Sequence, residues 1–456
     1  MSAVVDTLRP AGVRPARRGR WIDEWHPEDA SFWSAGGARV ALRNLIFSIF
    51  AEHVGFSVWT LWSVMVLFLG PAYHVDAAGK FLLTAVPAAL GSVLRLPYNL
   101  AVAVFGGRNW TIVSASLLLL PTIPMAILIK PGVSYSTLMV LAILTGVGGG
   151  NFASSMTNIN TFYPQRLKGW ALGLNAGGGN IGVAVVQIVG LVVLATAGLG
   201  HPRLVAGVYI PFIVLAALCA TLFMDNLTTA KNDKGAMRHA TRDPHTWIMS
   251  FLYIGTFGSF IGFGFAFGQV LQIQFHKTPV AAAHLTYLGP LLGSLIRPVG
   301  GWLADKIGGA LVTFVNFVLM AAAASVVLFA STGKSSLAMF VAGFIGLFVF
   351  SGIGNGSTYK MIPAIFKAKA ATRAAGGADR AAADLEARRL AGALIGIAAA
   401  IGAFGGVLVN VAFRQSFLTY KSANGAYIAF IAFYALCFLV TWMVYLRPSA
   451  RRLTGV

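Results

Sequence analysis

Apolar stretches of about 20 residues, the length a helix needs to cross a bilayer core, recur twelve times in this chain. They start near positions 44, 81, 110, 136, 169, 207, 247, 284, 310, 336, 390 and 424. Backbone in lipid must satisfy its own hydrogen bonds, which limits spanning structures to helices and closed barrels. The pattern therefore predicts an all-α polytopic membrane protein with twelve transmembrane helices. Composition agrees: 57% of the 456 residues are hydrophobic and 11% are charged, against about 25% charged in a soluble domain. An ordinary soluble enzyme, a disulfide-built secreted domain and a disordered chain are excluded. Cys219 and Cys437 both lie in apolar runs and offer no disulfide or metal framework. No cofactor or metal is expected.

The net charge of +20 resembles that of a nucleic-acid binder, but its distribution argues against one. An even number of spans puts both termini on one side. Twenty-four of the 34 Lys and Arg residues fall on that side and seven on the other. This is the positive-inside bias, so both termini are expected in the cytoplasm of a bacterial-type inner (plasma) membrane. The bilayer, not nucleic acid, is the expected partner. The first 40 residues are polar, and no signal peptide is expected. Three basic residues are left inside predicted spans: Arg95, Arg297 and Lys360. Among the 14 acids, Glu52 alone lies well inside one. Ionisable groups at membrane depth are costly and point to function.

The polar break at 225–246 divides the chain into a segment 1–43, a six-helix half 44–224, a central linker, a second half 247–446 and a tail 447–456. A polar, Ala-rich stretch, 367–389, reads as a surface helix or mobile loop. The halves repeat. Gly91-Ser92-Val93-Leu94-Arg95 matches Gly293-Ser294-Leu295-Ile296-Arg297, and a glycine pair follows each arginine (Gly106-Gly107, Gly308-Gly309), all at an offset of 202. Gly150-Asn151 and Gly354-Asn355 recur at nearly the same offset. Two six-helix halves repeated in parallel match the major facilitator architecture, with a midplane site between halves. The run Gly300-Gly301-Trp302-Leu303-Ala304-Asp305-Lys306-Ile307-Gly308-Gly309 resembles that superfamily's loop motif. Its first-half counterpart, Phe105-Gly106-Gly107-Arg108, lacks the Asp.

Arg95 and Arg297 occupy equivalent places in the two halves, near or just below the midplane, with no carboxylate at helical spacing. Two guanidiniums on one cavity repel and are poorly solvated, and an anion between them relieves both costs. The planar fork of Arg suits a small planar oxyanion. Glycines crowd the fourth, fifth, tenth and eleventh spans, among them Gly150, Gly173, Gly177, Gly179, Gly354, Gly356 and Gly405. They permit close helix approach and serve as candidate gating positions. Asn175 is a mid-span amide that must find a partner, and an anion near two arginines is a candidate.

The run Gly150-Asn151-Phe152-Ala153-Ser154-Ser155-Met156, with Asn158-Ile159, Phe162-Tyr163-Pro164 and Lys168-Gly169, continues into Ala171-Leu172-Gly173-Leu174-Asn175-Ala176-Gly177 and Gly179-Asn180-Ile181-Gly182. It closely resembles the signature of the nitrate/nitrite porter family of the major facilitator superfamily. Trp25-His26-Pro27-Glu28-Asp29, Leu94-Arg95-Leu96-Pro97-Tyr98, Thr256-Phe257-Gly258-Ser259 and Gly354-Asn355-Gly356-Ser357-Thr358 extend the resemblance over nearly the whole chain. The resemblance implies a secondary transporter of nitrate and nitrite working by alternating access. It implies that Arg95 and Arg297 clamp the anion, that Asn175 and Tyr253 hydrogen-bond it, and that Phe56 and Phe257 sandwich its faces.

Some members of that family have no protonatable residue in the pore and read as exchangers. Here Glu52 shares a helix face with Phe56, four residues on. A carboxylate there is a candidate for proton coupling, with Lys360 as a candidate partner, and nitrate/H+ symport is the leading expectation. A Glu52–Lys360 or Glu52–Arg pair that only fixes packing is the structural alternative. Nitrate/nitrite antiport, another small-anion carrier and an anion channel are the functional alternatives. No Ser/His, paired-Asp or His-metal set appears at membrane depth; His245, His276 and His284 lie near span ends. The chain is expected to act as a monomer.

Overall fold

The computed structural model describes residues 20–230, 234–332, 336–448, 453 and 455–456. Twelve helices are long and apolar enough to span a membrane: α1 Ala30–Phe68, α2 Ala77–Phe105, α3 Gly107–Leu128, α4 Tyr135–Phe162, α5 Gln165–Thr196, α6 Pro202–Phe223, α7 Pro244–Phe275, α8 Pro279–Ile307, α9 Gly309–Thr332, α10 Leu337–Ala375, α11 Arg380–Tyr420 and α12 Asn424–Leu446. Polar loop residues start many of them. Asp76 accepts from Gly79 N (2.7 Å), Ser134 from Thr137 N (3.1 Å), Asp243 from His245 N (3.0 Å) and Ser336 from Met339 N (3.3 Å). Several of the chain's few acids are thus spent on free N–H groups at helix starts. The basic residues Arg9, Arg14, Arg17, Arg18, Lys231, Lys334, Arg451 and Arg452 lie outside the described residues.

The repeat is visible in the backbone. Arg95 stands 18 residues after the first residue of α2, and Arg297 stands 18 after the first residue of α8. The two helices end at Gly106 (φ 87°) and Gly308 (φ 93°), a conformation that costs glycine little and other residues more. Each arginine therefore lies past the centre of a 29-residue helix, toward the side that carries the termini.

Two boundaries are sharper in the structure than in the sequence. The helix that carries the first apolar stretch begins at Ala30, ahead of position 44, because Asp29 caps it through Ser31 N and Phe32 N and the helix continues through a local kink at Gly36 (φ 148°). The stretch 367–389 takes the helical alternative rather than the mobile loop. Helix α10 runs through its first part to Ala375 and α11 resumes at Arg380. Alanine with Arg, Lys and Glu is a strong helix-forming mixture even when too polar for the membrane. Only Gly376–Asp379 turns the chain, with Gly377 at φ 95°, and Arg373 pairs with Glu386 across the turn (2.6 Å).

Before α1, strand β1 (Trp21–Ile22) pairs in parallel with β2 (Asn226–Leu227) in the central linker. Asp225, 1% exposed, receives Arg20 (3.0 Å), Arg43 and Asn44 (2.9 Å). Trp25 Nε1 donates to the Phe162 carbonyl (3.1 Å), and Glu28 accepts from Gln165 N at the start of α5 (2.8 Å). The polar arm is therefore fastened to the end of α4, the start of α5 and the exit of α6.

The halves meet along α2–α11 and α5–α8. At the end opposite the termini the contact is dense. Phe81 stacks on Phe413 (5.6 Å) and Phe417 (5.4 Å). Thr84 donates to Asn410 (2.9 Å) and accepts from Gln269 (3.3 Å), while Gln187 donates to Ser63 (2.6 Å). This layer joins α1, α2, α5, α7 and α11 across the two halves. Loosening it with Thr84→Val plus Asn410→Leu should speed alkylation of a Ser63→Cys reporter, in a chain whose Cys219 and Cys437 are replaced, by several-fold. Equal rates in both backgrounds would show that the layer does not hold the side shut.

Candidate functional site: two buried guanidiniums and a carboxylate

Arg95 is fully buried and Arg297 is 7% exposed. Among the described residues neither takes part in an ion pair. Arg95 Nη1 donates to the Ala399 carbonyl on α11 (3.0 Å), across the interface between halves. Its Nε and Nη2 have no protein partner. Arg297 Nη2 donates to Tyr253 Oη (3.3 Å) and its Nη1 has none.

Aromatic rings frame both cations. The Arg95 guanidinium carbon lies 4.6 Å from the Phe152 ring centroid, 5.0 Å from Phe257 and 5.3 Å from Trp59. Arg297 lies 5.7 Å from Tyr359. Phe257 stacks on Tyr253 (5.2 Å, 10°), the ring whose hydroxyl meets Arg297. The π-faces offset part of the cost of a dry cation but leave its N–H donors unmet. Phe56 reaches this cluster at one remove, edge-on to Phe152 (6.0 Å) and Trp59 (5.3 Å).

Glu52 is fully buried on α1. Its Oε2 accepts from Ser155 Oγ on α4 and from Asn175 Nδ2 on α5 (2.6 Å), while Oε1 has no partner. Both guanidiniums lie within its electrostatic reach. The neighbouring His53 faces away and donates Nδ1–H to the Gly178 carbonyl (3.1 Å). Gly179 explains how α5 comes so close: a Cβ there would overlap the Glu52 carboxyl. Gly405 likewise lets α11 meet Gly258 of α7, with only 2.6 Å from an added Cβ to the Gly258 Cα. Gly173 and Gly177 have open space within 4 Å, so close packing does not require them.

Lys360 is not the partner of Glu52. It pairs with Asp305 (2.8 Å) at a half-exposed position on the terminal side, with its Nζ 3.9 Å from a Cβ added at Gly169. The reason is reach: Lys360 follows Tyr359, the residue beneath Arg297, and its long side chain extends toward water, where the last turn of α8 supplies a carboxylate.

A family model described as Major Facilitator Superfamily matches residues 46–378. The "Nitrate/nitrite transporter NarU" of Escherichia coli (strain K12) is 36% identical over 93% of this chain and 96% of its own length. The "Probable nitrate/nitrite antiporter NarK2" of Thermus thermophilus is 33% identical over 95% and 98%. The chain belongs to the nitrate/nitrite porters of the major facilitator superfamily. A solved structure, "Crystal structure of D-xylose-proton symporter", superposes with a TM-score of 0.67 at 14% identity, covering 88% of this chain and 97% of that one. That likeness shows the fold.

The porter is a transporter, not an enzyme. Its described residues contain no group of three or more His, Cys, Asp or Glu that could hold a metal ion. Its structure brings Arg95, Arg297, Tyr253, Phe257, Asn175 and Glu52 into one buried region and leaves Lys360 outside. It adds four residues that sequence reasoning gave no role: Ser155, Phe152, Trp59 and Tyr359. Ser155 and Phe152 lie inside the porter signature, so the family resemblance flagged their segment. Trp59 follows Glu52 by seven residues, on the same face of α1, which was a usable signal.

Proposed function

We propose that this porter carries nitrate and nitrite across the membrane by alternating access, with Arg95 and Arg297 clamping the anion between the two halves. The observation that carries the reading is the pair of buried guanidiniums, one per half, each holding N–H groups without a protein partner. A planar oxyanion accepts from both forks with Phe257 against one face, while Phe56, expected on the other face, stands behind Phe152 at 6.0 Å. The names of the relatives support the substrate class. The basic bias toward the termini supports a cytoplasmic location for both ends in an inner membrane.

The coupling reading is nitrate uptake with protons, through Glu52. Two cations without a counterion resist closing into a dry state. An ionised Glu52 supplies the missing charge in the anion-free carrier. A proton on Glu52 removes that charge when nitrate supplies it instead. The carrier can then return without a second anion, which a pore lacking a carboxylate cannot do. Nitrate/nitrite exchange is the second reading, favoured by Ser155 and Asn175 satisfying one carboxylate oxygen as a structural group would be satisfied.

Proteoliposomes separate these readings. With a proton gradient, acid outside and no internal nitrite, uphill nitrate uptake supports symport. Uptake that appears only with internal nitrite supports exchange. A competition panel of nitrite, formate, bicarbonate and chloride tests the substrate class. Nitrite should compete strongly and chloride weakly, and the reverse order would overturn the planar-anion reading.

A further inference from the structure

We propose that Asn175 alternates between two acceptors: ionised Glu52 in the anion-free carrier, and the bound anion once Glu52 takes up a proton. This rests on the proton-coupled reading above and supplies its switching part. In the structure the Asn175 amide is committed to Glu52 Oε2 (2.6 Å) and Ser155 Oγ, and its Oδ1 is buried without a partner. The amide therefore sits on the carboxylate with half of its bonding capacity unmet. Glu52 is equally lopsided. One oxygen takes two donors and the other takes none.

The bare oxygen, Oε1, is where a proton can bond without displacing a donor. A proton entering from the side open to bulk forms the Oε1–H bond, and the carboxylate becomes a neutral acid. It leaves as a proton when the carrier opens to the other side, so no charge is created or lost. An ionised acceptor holds a donor about twice as strongly as a neutral one. Protonation thus loosens Asn175 from Oε2, and an arriving anion becomes the stronger acceptor. Ser155 is a positioning residue in this scheme: it ties the carboxylate to α4 whichever partner Asn175 takes.

The charged and titratable groups around Glu52 are few. Arg95 on α2 and Arg297 on α8 are the cations within its electrostatic reach. Tyr253 on α7 and Tyr359 on α10 interact with Arg95, and Tyr359 interacts with Glu52 as well. On α1 itself His53 is turned to Gly178, and α6 presents Tyr209 toward Ser57 rather than Glu52. α4 and α5 contribute Ser155 and Asn175, neither of which titrates. Arginine does not deprotonate in proteins, so in this scheme the pH response of the site is assigned to Glu52.

The test is the nitrate affinity of the purified full-length porter, titrated calorimetrically from about pH 5 to pH 8. One linked proton weakens wild-type binding by up to about tenfold per pH unit above the midpoint. In Asn175→Ala and Asn175→Ser the pH effect should shrink at least threefold, because low-pH affinity falls toward the high-pH value. In Ser155→Ala the midpoint should move to higher pH with the slope kept, since the ionised carboxylate loses a donor; Ser155→Thr should restore it. If both Asn175 variants lose affinity equally at every pH with the full slope retained, Asn175 is a plain ligand and the handover is wrong. Unchanged affinity in both overturns it too. Wild-type binding that is saturable but flat with pH removes the handover and the coupling while leaving the anion site intact. No saturable nitrate binding at any pH defeats the carrier reading itself.

Discussion

Arg95→Lys is expected to weaken nitrate binding by roughly thirty- to a hundredfold, about 2–3 kcal/mol. Lysine keeps the charge but loses the planar fork, so a bidentate contact collapses to a single point. The loss should be large at this position because the environment offers no substitute. The guanidinium is fully buried, its Nη1 anchors to the Ala399 carbonyl, and three aromatic rings surround the rest. Water cannot fill in for a lost N–H there. Arg297→Lys should cost less, since Arg297 is slightly more open and Tyr253 Oη stays as a donor nearby. Near-wild-type affinity in both variants would rule out fork recognition. Arg95→Leu supplies a complementary readout. A buried cation without a counterion is expensive, and apolar replacement of buried charge is often neutral or stabilising. Nitrate should therefore raise the melting temperature of the wild-type porter and leave that of Arg95→Leu unchanged.

The second large effect is expected at Glu52. Glu52→Gln keeps the shape and an acceptor oxygen but cannot ionise. Uphill nitrate accumulation driven by a pH gradient should fall to background, while nitrate/nitrite exchange persists. The variant mimics the protonated state permanently, so its two guanidiniums have no counterion when the site is empty. The carrier then returns only with an anion bound. Accumulation that survives in Glu52→Gln would leave symport standing but move the proton elsewhere. Loss of both activities would assign Glu52 to packing, as the anchor that gathers Ser155 of α4 and Asn175 of α5 around α1.

Much of this arrangement was legible because membranes make charge conspicuous. Arg95, Arg297 and Glu52 stand out in apolar spans, and the offset of 202 marks the arginines as a matched pair. The partners were harder to read. Lys360 looked like a companion for Glu52 by depth, but its side chain reaches Asp305, 55 residues away in sequence. Depth along a helix does not say which way a flexible side chain leans. Trp59 shares the Glu52 face of α1 and Phe152 lies in the porter signature, but neither acquires a role from that alone, since 12% of the chain is aromatic and most rings in a membrane bundle simply fill space. The stretch 367–389 left helix and loop both open for a different reason. Hydropathy measures fitness for lipid, not for helix, and that segment is unfit for one and well suited to the other.

The arm before α1 bears on how the porter is made. Arg20 closes on Asp225 across 205 residues of chain, after all six helices of the first half. A ribosome adding about 5–20 residues per second needs roughly 10–40 s to cover that interval. Until then Arg20 and Trp21 have been synthesised but their partners have not. The pairing of β1 with β2 is thus a last stitch. It can form only when the sixth span has been delivered to the bilayer and the chain has come back to the side where it began.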